Sequence, residues 1–355
     1  MINSAKNIIF SQALGDAIGL ATEFMKKTEV NEKYQDIQNF TFDTIVQDYH
    51  RSNWKRGDWT DDTDIMIIRY QLLKKNKLNP INYARALIKW IDNGFPACGD
   101  DKCHGLGNTF AIWQGDKYAL SDPVYAGFRA WVYNPFRPMM MSSNGSLMAS
   151  GILGIIEDDM IRREKTIEIN RITHTDPNPI LACLFQTELI SRIIKKKNYM
   201  DFDNIINDIK PSFISYCNEL KLMIHDFKLK ECSDEMDEII KENINNFLQN
   251  NTIEPDRYIL ELKNYLNYER IEDLKLDENI GYCYKAIGCI AIVLRNINQG
   301  YLPNIINIIK EGGDADTNAA IVGSTVGCIY GYNALPVNLV NSLFYKEFLD
   351  NIVRK

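Results

Sequence analysis

Gly312-Gly313-Asp314-Ala315-Asp316-Thr317-Asn318-Ala319-Ala320 opens a stretch that carries no charge from Ala319 to Leu335 and places Gly323, Gly327 and Gly331 four residues apart. Residues at this spacing share one side of a helix, and without a Cβ there a neighbouring backbone can approach closely. Asp316, Ala320, Gly323 and Gly327 fall on one face, and Thr317, Ile321, Ser324 and Cys328 on the next. A membrane-crossing dimer helix is the rival reading of such glycines. The stretch is short of the roughly 20 apolar residues a bilayer needs, and two carboxylates stand at its start. It reads as the buried central helix of a helical protein.

Working outward, Leu14-Gly15-Asp16-Ala17-Ile18-Gly19 marks a second helix rich in small residues, on which Asp16, Gly19 and Glu23 would share a face. After Thr60-Asp61-Asp62-Thr63-Asp64, Ile65, Ile68 and Leu72 recur at helical spacing, with Asp61 on the same stripe and so aimed inward. Strand-like alternation is rare and brief, as in Thr166-Ile167-Glu168-Ile169. Between about 195 and 280 the texture turns to Lys, Glu, Asn and Ile. Patterns such as Ile239-Ile240, Ile244 and Phe247-Leu248 suggest amphipathic helices there. The fold predicted is all-α, a single compact multi-helix domain over residues 1–355, with 195–280 as a charged peripheral helical region.

The 355 residues suffice for a sizeable core, and 45% hydrophobic with 25% charged is a soluble globular balance. A net charge of −7 argues against an electrostatic grip on nucleic acid or anionic lipid. The first residues, Met1-Ile2-Asn3-Ser4-Ala5-Lys6, lack the long apolar segment of a secretory signal, so a cytoplasmic location is expected. Of the eight Cys, Cys183, Cys289 and Cys328 sit in apolar runs, as reduced buried thiols do. Cys98 and Cys103-His104 are the only close group and lack a second pair at zinc-site spacing.

The two acidic clusters carry the chemistry. Each stands at the start of a helix, and they lie about 250 positions apart. Taken singly, Thr60 could be an N-cap, and acids in a first helical turn complement the helix dipole by about 0.3–1 kcal/mol each. Two such starts, one of them after a glycine pair, are better explained by a shared site. Packed carboxylates repel one another and are costly to bury without a cation. Asp and Thr oxygens are hard ligands, suited to Mg²⁺, Ca²⁺ or Mn²⁺.

Five segments in order then bring a family into view: Gly15-Asp16-Ala17-Ile18-Gly19 with Glu23, Thr60-Asp61-Asp62-Thr63, Ser143-Asn144-Gly145-Ser146-Leu147-Met148, Thr173-His174-Thr175-Asp176-Pro177, and Gly312 to Ala320. Over nearly its whole length the chain resembles the ADP-ribosylglycohydrolases, which include the dinitrogenase reductase-activating glycohydrolases and the ADP-ribosyl-acceptor hydrolases. The resemblance implies an all-α fold around two Mg²⁺ ions, with Mn²⁺ a possible substitute. Thr60, Asp61 and Asp62 would bind one metal, Asp314 and Thr317 the other, and Asp316 would bridge them. Asp61, Asp62, Asp314, Asp316 and Glu23 carry five negative charges against four from two such ions. Glu23, Asp61 and Asp316 would carry catalysis, Glu23 by positioning or deprotonating water. Gly107, Asn108, Asn144, Gly145, Ser146 and His174 would contact ADP-ribose, the Asn144-Gly145-Ser146 loop approaching the diphosphate.

The activity so implied is Mg²⁺-dependent removal of ADP-ribose from a modified protein side chain or a small ADP-ribosyl conjugate. No membrane partner is implied, and nucleic acid only as a modified substrate. A catalytically inactive ADP-ribose-binding module or a crystallin-like structural relative is the alternative, and neither has a reason to keep the acid cluster. Two departures stand out. Family members often have Met-Arg where this chain has Met148-Ala149, and Asp-Ile-Gly-Asn-Thr where it has Gly105-Leu106-Gly107-Asn108-Thr109.

Overall fold

The computed structural model describes residues 2–133, 142–231 and 253–354. Helix follows helix through them: α1 (Ile2–Gly19), α2 (Lys27–Lys33), α3 (Asp61–Lys74), α4 (Pro80–Asn93), α5 (Asn108–Gln114), α6 (Pro123–Tyr133), α7 (Asp159–Asn170) and α8 (Pro177–Ile194). Then come α9 (Phe202–Glu231), α10 (Pro255–Leu266), α11 (Cys283–Arg295), α12 (Tyr301–Ile309), α13 (Ala315–Tyr330), α14 (Val337–Asn341) and α15 (Lys346–Arg354). No sheet forms among the described residues; Ser143 and Tyr282 make one isolated antiparallel bridge. The protein is all-α and folds as a single compact domain.

α1 and α13 form the most extensive helix pair, and their small residues are the reason. A Cβ on Gly15 would lie 2.4 Å from the Ala319 carbonyl oxygen, and one on Gly19 2.4 Å from Asp316 Cα. In return, a Cβ on Gly323 would lie 2.5 Å from the Ser11 carbonyl oxygen. The helices therefore run antiparallel with backbones touching, and the C-terminal end of α1 abuts the acidic start of α13. Gly331 departs from the packing role its spacing suggested. At φ +75° it ends α13, in the left-handed region that glycine enters without penalty.

None of the described helices is long and apolar enough to cross a membrane. Around the central pair pack α3, α8, α11 and α12, and the buried aliphatics of all of them form one continuous core. Thr166-Ile167-Glu168-Ile169 is helical, inside α7. Arg162, Thr166, Ile169 and Asn170 are its buried residues, so the period of 3.6 outweighs the four-residue alternation. α9 and α10 pack on α8 and on each other through Ile205, Ile209, Phe213, Ile259 and Leu262. Their outer faces carry the ion pairs Lys210–Asp256 and Lys263–Asp203. The helical pattern at Ile239-Ile240, Ile244 and Phe247-Leu248 lies outside the described residues.

Candidate active site

The starts of α3 and α13 face each other, joining the two acidic clusters. Thr60 occupies the N-cap position of α3 and Asp314 that of α13, yet neither side chain caps its helix. Each is turned to other work. The Thr60 hydroxyl lies 3.0 Å from Asp16 Oδ1 and 3.1 Å from Asp62 Oδ2, and the Thr317 hydroxyl donates to the same Asp62 oxygen at 3.2 Å. Asp314 Oδ2 accepts from Asn144 Nδ2 at 2.6 Å. Capping thus fails as an account of these residues.

Asp16 and Glu23 do not share a helix face, because α1 stops at Gly19. Asp16 is fully buried behind the cluster. It accepts hydrogen bonds from the backbone N–H and hydroxyl of both Thr60 and Thr63, which fixes the first turn of α3. Burial raises its carboxyl to about 7, opposed by those four donors. Glu23 reaches the cluster through a turn held by α13's approach: Phe24 N–H donates to the Gly313 carbonyl, and Gly313 N–H to the Met25 carbonyl. One carboxylate oxygen each from Glu23, Asp314 and Asp316 then lie within 4.8 Å of one another.

These acids form the floor of a cavity of about 280 Å³. Glu23, Asp61, Asp62, Asp314, Asp316 and Thr317 line it together with Gly107, Asn108, Asn144, Gly145 and His174. Two residues read as site residues do not line it. Thr60 stands behind Asp62, against a neighbouring cavity. Ser146 is fully buried, with its hydroxyl 3.6 Å from Cys183 Sγ, because the loop's next turn folds under Asn144 and Gly145. At Gly145 a Cβ would lie 3.0 Å from His174 Nε2, a tight contact that the imidazole could relieve only by giving way a few tenths of an ångström. His174 itself is held between the Thr173 and Ser143 hydroxyls.

Both departures from the family pattern have a structural setting. Gly105 has φ +85°, and a Cβ on it would sit 2.4 Å from Asp61 Oδ1, so this backbone has no room for an acid beside Asp61. Ala149 is buried, and a guanidinium lies beneath the loop from elsewhere: Arg69 of α3 donates to the Ser146 carbonyl and to Ser150 Oγ. The sequence offered no signal for Arg69, nor for His50, whose Nε2 lies 2.6 Å from Glu23 Oε2.

Burial, and then repulsion among the acids, raise Asp61, Asp62 and Asp316 well above the ordinary carboxylate range. Asp314 rises to about 6, with the Asn144 hydrogen bond opposing burial. Asp62 Oδ1 and Asp316 Oδ1 are buried with no hydrogen-bond partner, a state that costs about 1–3 kcal/mol per group. An all-oxygen donor set with two orphaned carboxylate oxygens fits a hard divalent cation and suits zinc or copper poorly. Glu23, Asp314 and Asp316 are close enough to share one.

Comparison with known proteins decides the lineage. The family model for ADP-ribosylglycohydrolase matches residues 2–355. The chain belongs to the ADP-ribosylglycohydrolase family. As an ADP-ribosylglycohydrolase it is a glycosidic-bond hydrolase acting on ADP-ribose conjugates, in a family that depends on metal. It is 22% identical over 356 residues to an uncharacterised protein of Archaeoglobus fulgidus, covering 99% of this chain and 94% of that one. It is 19% identical to the ADP-ribosylarginine hydrolase Tri1 of Serratia proteamaculans, covering 100% of this chain and 79% of the relative. The solved structure of an ADP-ribosylglycohydrolase-related protein complex shares its fold, with a TM-score of 0.56 at 17% identity over 99% of this chain and 96% of that one.

Proposed function

We propose that this glycohydrolase removes ADP-ribose from a modified protein side chain in a Mg²⁺-dependent reaction, with arginine the first acceptor to test. One observation carries the reading. The carboxylates of Glu23, Asp314 and Asp316 converge in a cavity that the Asn144-Gly145 turn also lines, with Asn144 donating directly to Asp314. The name of the Serratia relative, an ADP-ribosylarginine hydrolase, supports the acceptor.

Two Mg²⁺ ions, or Mn²⁺ in their place, would be held by Thr60, Asp61, Asp62, Asp314, Asp316 and Thr317. Bound there, they would supply the positive charge that holds the ribose hydroxyls in place beside the glycosidic bond. The chain's own groups do the rest. His174, neutral in its buried setting, and Asn144 define the wall against which the substrate lies. Gly145 leaves backbone room for the diphosphate to approach. Glu23 has its carboxylate at the cavity surface and takes the proton of the water whose oxygen bonds to the oxocarbenium-like anomeric carbon. The glycosidic bond breaks with its electron pair on the departing side-chain atom, which the proton then neutralises.

The test is release of free ADP-ribose from arginine- and serine-modified peptides with and without Mg²⁺. Metal-dependent release that disappears in Asp316→Ala is the expected outcome, with Glu23→Gln lowering kcat by at least about 100-fold. Release that is insensitive to chelator and to Asp316→Ala would overturn the reading.

A further inference from the structure

Glu23 is an awkward residue to keep in place. It lies beyond the end of α1, outside any helix that would fix its backbone, with the carboxyls of Asp314 and Asp316 close by. The next residue, Phe24, is a bulky side chain at φ 59°, a left-handed conformation that costs about 1–3 kcal/mol and persists only where the surroundings impose it.

Gly313 holds the turn through its hydrogen bonds with Phe24 and Met25, and a second set of restraints comes from one short segment, Asp48 to Arg51. Arg51 is buried and paired to Asp48, and its guanidinium donates to the main-chain carbonyls of Ala21 and Glu23. The preceding residue, His50, takes the side chain, with Nε2 2.6 Å from Glu23 Oε2. The imidazole in turn stands between the rings of Phe24 and Trp54, each with its centroid 5.1 Å away. Main chain and side chain of Glu23 are therefore gripped by consecutive residues. The strained Phe24 also serves a purpose, since its ring packs on the imidazole that holds Glu23. Arg51 is buried, but the His50 side chain is about a third exposed and so is not a core residue.

We propose that His50 is a positioning residue of the reaction, holding one oxygen of Glu23 so that the carboxylate stays over the cavity floor with its other oxygen free for the water. The inference rests on Glu23 acting as the base. A freed Glu23 would be at liberty to swing towards solvent, and a base displaced by about 1 Å can lose about 100-fold in rate. Loss of a supporting partner of this kind typically costs about 10–100-fold.

The experiment compares His50→Ala, His50→Gln and Glu23→Gln for kcat and KM on an ADP-ribosyl peptide, and for Mg²⁺ affinity by calorimetry. His50→Ala should lower kcat about 10–100-fold, with KM and the Mg²⁺ Kd within twofold of wild type. His50→Gln, whose amide can donate to the same oxygen, should recover much of the loss. A purely structural role would not produce this split or this rescue. Full activity in His50→Ala with Glu23→Gln dead would overturn the His50 inference and leave the base intact. Full activity in Glu23→Gln would overturn the base, and the inference with it. A His50→Ala defect cured by raising Mg²⁺ would also overturn it, since His50 would then be steadying a metal ligand.

Discussion

At the scale of single residues, the site's chemistry was legible and its internal bonding was not. Asp61, Asp62, Asp314 and Asp316 are visible as clustered acids at helix starts, because charge is a property of the residue itself. That Asp16 braces Thr60 and Thr63, or that His50 holds Glu23, depends on contacts across 27 to 47 positions, which no local pattern encodes. His174 gives a prediction at this scale. Burial, and then the positive charge of Arg69, lower its pKa to about 3, so the folded protein keeps it neutral. The unfolded chain takes up a proton near its ordinary value of about 6.5. Between those values the unfolded state binds the extra proton, so this histidine's contribution to stability is full above pH 6.5 and is lost as pH falls towards 3. The stability advantage of wild type over His174→Gln should therefore shrink by about 2 kcal/mol between pH 7 and pH 5, measured by urea unfolding. An NMR ring signal for His174 that titrates near pH 6.5 in the folded protein would refute the assignment.

At the scale of elements, small-residue spacing identified both members of the central pair, since glycines four apart leave a groove whatever their partner. Where each helix stops was not legible in this way. α1 ends at Gly19 because the chain must turn to meet Gly313, and α13 ends at Gly331 because that residue takes a positive φ. Glu23 was thereby read onto a helix face it does not occupy. The pairing makes a prediction about position along the interface. In Gly19→Ala the new Cβ would meet Asp316 Cα at 2.4 Å, backbone against backbone at the site itself. In Gly323→Ala it would meet the Ser11 carbonyl at 2.5 Å, seven residues and so about 10 Å further along α13. Both variants should lose about 1–3 kcal/mol by denaturant unfolding. Only Gly19→Ala should also lose at least about tenfold in kcat in protein that remains folded, because it moves the helix start that carries Asp314 and Asp316. Equal kinetic loss in both would mean the interface transmits strain along its whole length.

At the scale of the molecule, the site ties the first fifth of the chain to its last eighth, and the all-α reading follows from the same fact. One helical core is needed to bring α3 and α13 together, and the five ordered segments span it. The cost of packing these acids together was legible in the sequence; how that cost falls on each of them was not. Burial and mutual repulsion hold Asp61, Asp62 and Asp316 towards their protonated forms, and Asp314 near 6. Divalent metal must displace those protons, so its binding should strengthen as pH rises. At 100 times Kd, one bound Mg²⁺ stabilises the folded state by about 2.7 kcal/mol. With an unfolding entropy of about 2.1 cal/mol/K per residue, that raises Tm by roughly 4 °C in a chain of 355 residues. The shift should be present at pH 8, vanish below about pH 5.5, and be absent at both pH values in Asp316→Asn. Asp316→Asn should also melt no lower than wild type in chelator, because an amide replaces a carboxyl that burial already holds towards its uncharged form when no cation is bound. A Mg²⁺ shift unchanged between pH 8 and pH 5.5 would mean the metal binds elsewhere, and that the buried acids at the starts of α3 and α13 do not form its site.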